Sequence, residues 1–219
     1  LKYNLETAKA LGSAFSALSK NFKGKDAVAI AMYRKGLGLS GEEMAALGTE
    51  ALATGRDMKD LAREVTSYAA TMEKEFGYNM KVISKDMGKM MSDFDHFGNL
   101  GPKVMAQVAV QTRRLGIEIK ALTGMIDKFD NFEDAAKSAA GLAQSFGMNV
   151  NALKLMKTQD PAKRLAMMQK AFAKTGKSME GMTRQQRKQI ASLTGLDQKT
   201  AAIAFSQRGL GMSYDEVTK

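Results

Sequence analysis

Few residues in this 219-residue chain are of types that do chemistry, and their spacing limits what they can do. The only histidine, His96, stands beside Asp93 and Asp95 in DFDHFGN, and there is no cysteine. Two carboxylates and one imidazole make at best a weak metal site, because the usual zinc sites need more histidine or cysteine ligands. The plainer reading of the cluster is a helix terminus. A second acidic group, Asp127, Asp130, Glu133 and Asp134, lacks the alternating oxygen ligands, central glycine and closing glutamate of a calcium loop. Carboxylates at a helix start, complementing the macrodipole, account for it. No feature singles out a carboxylate pair for glycoside cleavage. There is no glycine loop followed by Lys and Ser/Thr to cradle phosphate, and no nucleophile elbow. The expectation is a chain that is not an enzyme, with no cofactor and no metal.

What remains is charge. The formal net charge is +10, and it is uneven: residues 1–100 carry 14 Lys+Arg against 13 Asp+Glu, residues 101–219 carry 19 against 10. Most of the excess lies between Lys154 and Lys188, ten basic residues facing only Asp160 and Glu180. The candidate interaction residues are therefore Lys154, Lys157, Lys163, Arg164, Lys170, Lys174, Arg184, Arg187 and Lys188. Such a sector can meet nucleic acid, anionic lipid or an acidic protein, or be a solvated face. Residues 189–209, QIASLTGLDQKTAAIAFSQRG, add a modest likeness to a DNA-binding helix-turn-helix, with a recognition helix over Gln198 to Gln207. Thr194 stands where an apolar residue is usual. That helix offers only Gln198, Lys199, Thr200 and Gln207 to bases or phosphates. The alternative function is thus a DNA-binding module using the basic 154–209 region.

The elements that carry these residues are helical. Two prolines and 17 methionines among abundant Ala, Leu, Lys and Gln make an all-α composition, and 44% hydrophobic residues supply a core. The longest apolar run, Ala27 to Tyr33, is far short of the roughly 20 residues of a membrane-spanning helix, and no signal peptide is visible. The first amphipathic helix is read over residues 2–20, with Leu5, Ala8, Leu11, Phe15 and Leu18 on one face and a stop at Gly24. From Leu61 a seam runs through Val65, Tyr68, Met72, Phe76, Met80, Ile83, Met87, Met90, Phe94 and Phe97 with a stutter around Phe76. If continuous it spans about 55 Å, although Gly77 offers a break. Gly98 to Pro102 restarts a helix whose stripe runs from Val104 to Phe129, interrupted by Gln111, either solvent-facing or a buried register-setter. The short connection predicts that residues 57–97 and 102–128 pair as a hairpin.

A repeat is present. AIAMYRKGLGLSGEEM at 29–44 recurs as AIAFSQRGLGMSYDEV at 202–217, with eight of sixteen positions identical. Each copy predicts a helix, a glycine stop and a capping box, Ser40 with Glu43 and Ser213 with Glu216. Fainter echoes lie at Gly116, Gly147 and Gly195. The expected fold is all-α: helical hairpins and coiled-coil-like helices with repeated glycine-capped helix-turn-helix units. They are divided into an N-terminal unit over 1–56, a long hairpin over 57–129 and a short-helix basic unit over 130–219.

The most ordered stretch is DKFDNFEDAAKSAAGLAQSFGMNVNALKLMKTQDP, Asp127 to Pro161. Asp130 with Glu133 predicts a capping box, Phe132, Ala136, Ala139, Ala143 and Phe146 one apolar face, and Gly147 a stop. Asn149 or Asn151 then caps a short helix, and Asp160-Pro161 opens another, because proline at the first helical position sacrifices no hydrogen bond. The KFDxFE start, alanine-rich helix, SFGMNVNALKLM and DPAKR resemble phage tail tape measure proteins, particularly those of contractile tails, over about residues 36–205. The resemblance implies a virion protein of the tail, assembled in the host cytoplasm, that sets tail length and templates tube assembly in several copies within the lumen. Its implied partners are tail tube and baseplate hub proteins, other copies of itself and, non-specifically, DNA. Beginning at Leu1 and stopping just after a fresh capping signal, the chain is expected to be a segment of a longer protein. The many glycine stops imply folded hairpins, a globular region of the ruler rather than its extended shaft.

Overall fold

In a computed structural model, described over residues 31–32 and 34–219, every regular element is a helix, and no strand occurs among the described residues. The helix expected over residues 2–20, its stop at Gly24 and positions 29, 30 and 33 of the repeat lie outside the described residues. Backbone contacts divide the chain into two compact units, residues 1–110 and 111–219.

In the first unit, α1 (Gly41–Ala53) starts at the expected capping box: Ser40 Oγ accepts the Glu43 amide at 3.1 Å and Glu43 carboxylate accepts the Ser40 amide at 2.7 Å. Such a cap is worth about 1 kcal/mol. α2 (Met58–Phe76), capped by Asp57, buries Leu61, Ala62, Val65, Ala69 and Met72 at the helical spacing. The seam expected to run on to Phe97 is broken. Gly77 adopts φ 74° and its amide closes on Glu73, ending α2; Asn79 then caps α3 (Met80–Ser92). The chain folds back, so α2 and α3 pack on each other and both pack on α1. The buried stripe residues of α2 and α3 are therefore turned toward each other and toward α1. Gly88 shows why a helix-weakening residue stands inside α3: a Cβ there would sit 2.9 Å from the Cβ of Glu43 and 3.4 Å from Leu39. α4 (Phe94–Phe97) is a single turn that leaves Phe94 half exposed. α5 (Pro102–Leu115) starts at its proline, and residues 105–112 are all buried, so burial takes in Gln107, Gln111 and Thr112 as well as the apolar stripe. The division between the units falls inside it, after Val110.

The second unit continues with a 3-10 turn (Ile119–Leu122), α6 (Thr123–Lys128), α7 (Phe132–Phe146), α8 (Ala152–Lys157) and α9 (Pro161–Ala173). It closes with α10 (Arg184–Thr194), α11 (Gln198–Ala204), α12 (Gln207–Leu210) and α13 (Asp215–Thr218). Gly147, Asn151, Asp160-Pro161 and the Thr183–Gln186 capping box act where the sequence puts them. The cap of α7 does not. Asn131, not Asp130, accepts the Asp134 amide at 2.8 Å: the helix starts at Phe132, which makes Asn131 its extended flanking residue, and Asp130 lies one residue outside, with Arg164 Nη1 at 3.4 Å. α7 packs on α8 and α10, and Gly141 lets α10 approach: its Cβ would lie 2.7 Å from Leu193 Cδ2.

The two copies of the repeat fold differently. In the first, Gly38 takes φ 69° and the Ser40 box forms. In the second, the helix ends at Ala204, and Ser206, which replaces Tyr33, caps α12 by accepting the Gly209 amide at 3.0 Å. Gly211 keeps φ −77°, and α13 starts after Tyr214 with no side-chain cap, so the Ser213–Glu216 box is absent and Glu216 pairs with Arg114 instead. The fainter echoes share a local cause. After Gly116 and Gly195, as after Gly38, the next residue is buried and its amide bonds back five residues: Ile117 to Thr112, Leu196 to Ala191, Leu39 to Arg34. This is the turn that ends many helices, and it favours a glycine followed by an apolar residue wherever it occurs.

Candidate interaction surface

The nine candidate cations separate into three groups. Lys154 and Lys157 are exposed on α8, and Lys163, Lys170 and Lys174 are exposed on or just past α9. Arg184 and Lys188 are exposed one turn apart on α10. Arg187 is half-buried and fastens its own loop, donating to the carbonyls of Met182 at 3.1 Å and Glu180 at 3.2 Å. Arg164 leaves the set. Only 2% of it is exposed; its Nε donates to Thr158 O at 3.1 Å and its Nη1 to Ile126 O at 3.1 Å, with Asp130 Oδ1 at 3.4 Å. Successive residues turn about 100° on a helix, so Lys163 faces solvent while Arg164 faces the core. Burial lowers the Arg164 pKa and Asp130 opposes that fall; a guanidinium stays charged under such a shift.

Three of the exposed lysines form a row. Lys163, Lys170 and Lys174 lie seven and four residues apart, within about 20° of one line and spanning about 16 Å of helix. Met167 belongs to the same line, and Thr158 Oγ1, at the end of α8, lies 3.7 Å from its sulfur. That contact brings Thr158, the residue that ends α8, against α9, while Lys154 and Lys157 stand exposed on α8 itself. Lys170 has Asp215 at 3.5 Å, an exposed pair of little net strength.

The helix-turn-helix elements take a different form from the one expected. α11 stops at Ala204, so Gln207 belongs to α12 and donates its amide to Glu180. Thr200 is buried and donates to the Asp197 carboxylate at 2.5 Å. Gln198 and Lys199 remain exposed. Thr194 is fully buried, and its hydroxyl is satisfied by Ile190 O at 2.8 Å. The intervening turn is packed away: a Cβ on Gly195 would overlap the carbonyl of Gly124 in α6.

Most other polar candidates serve the fold. Asp93 caps no amide of α4, but its carboxylate lies 2.6 Å from His96 Nδ1. Glu133 pairs with Lys137, and Asp134 with the Asn131 amide nitrogen. No group of three or more His, Cys, Asp or Glu is placed to hold a metal ion among the described residues. Gln111 is buried, and its amide donates to Met212 O at 3.0 Å. Gln169, a position with no sequence signal, is also buried and donates to Ala204 O and Gly209 O. Tyr214 donates to Asp160 across 54 residues. None of the described helices is long and apolar enough to cross a membrane. Comparison of the chain with known protein families, with curated proteins and with solved structures returns no match.

Proposed function

We propose that this chain is a structural, non-enzymatic segment of a phage tail tape measure protein. It acts in the virion tail, in several copies, by contacting tail tube and baseplate hub proteins while the tube assembles. The observation that carries the reading is the use made of the polar residues in the stretch that bears the resemblance. Asn131, Asn151 and Asp160 are spent on helix caps, and Arg164 of DPAKR reaches back to Asp130 of KFDxFE and to Ile126 just before it. Those residues build a shape and leave no reactive constellation among themselves, which suits a part that is recognised rather than one that reacts. A folded segment adds less to a ruler than an extended helix of 219 residues, about 330 Å at 1.5 Å per residue.

The test is co-assembly. Purified chain is mixed with tail tube protein and with baseplate hub protein of a contractile-tailed phage, and tube growth is followed by electron microscopy and sedimentation. The expected result is co-sedimentation and nucleated tube growth. No association with either protein, together with a salt-resistant complex with one preferred duplex, overturns the reading in favour of a DNA-binding module.

A further inference from the structure

We infer that the face built by α8 and α9 binds the phosphodiester backbone of nucleic acid without regard to sequence. Non-specific DNA is among the partners the tape measure resemblance implies; assigning such contact to one face deepens that reading, and the residues of that face alone carry the assignment. Lys163, Lys170 and Lys174 form one line along α9, and Lys154 and Lys157 are exposed on α8, which precedes α9 by three residues and whose closing residue, Thr158, touches Met167 of α9. All five are exposed, and Lys154, Lys157, Lys163 and Lys174 have no carboxylate within ion-pair distance among the described residues. Five cations on two adjoining short helices attract a polyanion, because each phosphate they neutralise releases condensed counterions.

The chemistry of the face favours nucleic acid over an acidic protein. Protein interfaces are centred on buried aromatic, Met and Arg anchors and are depleted in lysine. Here the only arginine between Lys154 and Lys174 is turned inward, and on α8 and α9 themselves Leu153 is the one large apolar side chain that is exposed. A lysine is a mobile point charge with no fork to fit a base edge or a carboxylate, so the face reads charge density and not sequence.

The experiment titrates the full chain into two fluorescein-labelled 20-base-pair duplexes of unrelated sequence and follows anisotropy from 50 to 200 mM NaCl. The K163E/K170E/K174E variant is compared with K120E/K199E/R208E, which makes the same change in net charge at exposed positions elsewhere in the second unit. Circular dichroism and melting establish that both variants are folded. The expected result is equal affinity for the two duplexes. The face variant loses about tenfold or more in affinity at 50 mM NaCl and loses about 2 to 3 from the slope of log K against log salt, at about 0.9 per phosphate contact. The control variant keeps most of the slope. Equal losses in the two variants, no loss in the face variant, or tighter binding of poly-glutamate than of duplex at the same salt overturns the inference.

Discussion

The hydroxyl of Tyr214 donates to Asp160 Oδ2 at 2.7 Å, while Asp160 Oδ1 accepts the amides of Ala162 and Lys163 at the start of α9. One carboxylate thus opens α9 and fastens the C-terminal segment to it. Around this contact the segment is held by Gln111 on Met212 O, Arg114 on Ser213 O and Gln169 on Ala204 O and Gly209 O. Phe205 packs edge-to-face on Phe172 with ring centroids 5.3 Å apart.

The Asp160–Tyr214 contact predicts a pH dependence with a defined sign. Burial raises the Asp160 carboxyl above its ordinary value of 3.8, against the opposing effect of the Tyr214 hydroxyl, the two amides and Lys163. The folded chain therefore holds this proton to a higher pH than the unfolded chain does. The group's contribution to stability is fully present below the ordinary aspartate value and is lost as pH rises through the folded value. Asp160→Asn removes that fall from the stability–pH curve. Tyr214→Phe destabilises by about 1–2 kcal/mol and, by removing an effect that lowers the carboxyl, extends the fall to higher pH. Urea melts between pH 3.5 and 7 check both. An unchanged curve in Asp160→Asn contradicts the assignment.

Arg164 and Asp130 are unequal partners. Arg164 is buried and satisfies two carbonyls, whereas Asp130 is largely exposed. Arg164→Ala leaves Thr158 O and Ile126 O without their donor and opens a cavity, for an expected cost of about 3 kcal/mol. Asp130→Ala removes only a long ion pair open to solvent and should cost under about 1 kcal/mol. Chemical denaturation of the two variants checks the ranking, and equal losses would mean that the ion pair, not the carbonyls, holds the arginine.

The features legible from the sequence were those decided by near neighbours. Ser40, Thr183, Asp160-Pro161, Gly147 and Gly195 punctuate helices through bonds within a few residues, so their residue types announce them. The features misread or left open turn on a one-residue shift or on distant partners. Asp130 and Asn131 are adjacent acceptors, and which one caps α7 depends on whether the helix begins at Asn131 or at Phe132, a shift of one residue that the residue types do not fix. Gln111 interrupts an apolar stripe and leaves two readings open, solvated or buried, and only Met212 O, 101 residues away, selects the buried one. The second repeat copy keeps the glycines of the first, yet Ser206 and Tyr214 redirect it. On the basic face, Lys163 and Arg164 are indistinguishable as neighbours in a string, and the turn of the helix separates them.

Glycines at close approaches give the final prediction, because two of them look alike in sequence and differ in surroundings. Gly141 lies inside α7 with ordinary helical geometry, and an added Cβ would meet the end of the Leu193 side chain at 2.7 Å. A leucine tip can rotate away, and alanine gains about 1 kcal/mol of helix propensity over glycine. Gly141→Ala should therefore change stability by no more than about 1 kcal/mol in either direction. Gly195 has φ 72°, which alanine adopts at a cost of about 1–2 kcal/mol. Its Cβ would also overlap the backbone carbonyl of Gly124, which has no rotamer to change. Gly195→Ala should cost about 3 kcal/mol or more, by forcing α6 away from the turn between α10 and α11. Thermal melts of the two variants test this. A Gly195→Ala protein as stable as Gly141→Ala would show that α6 does not press against that turn.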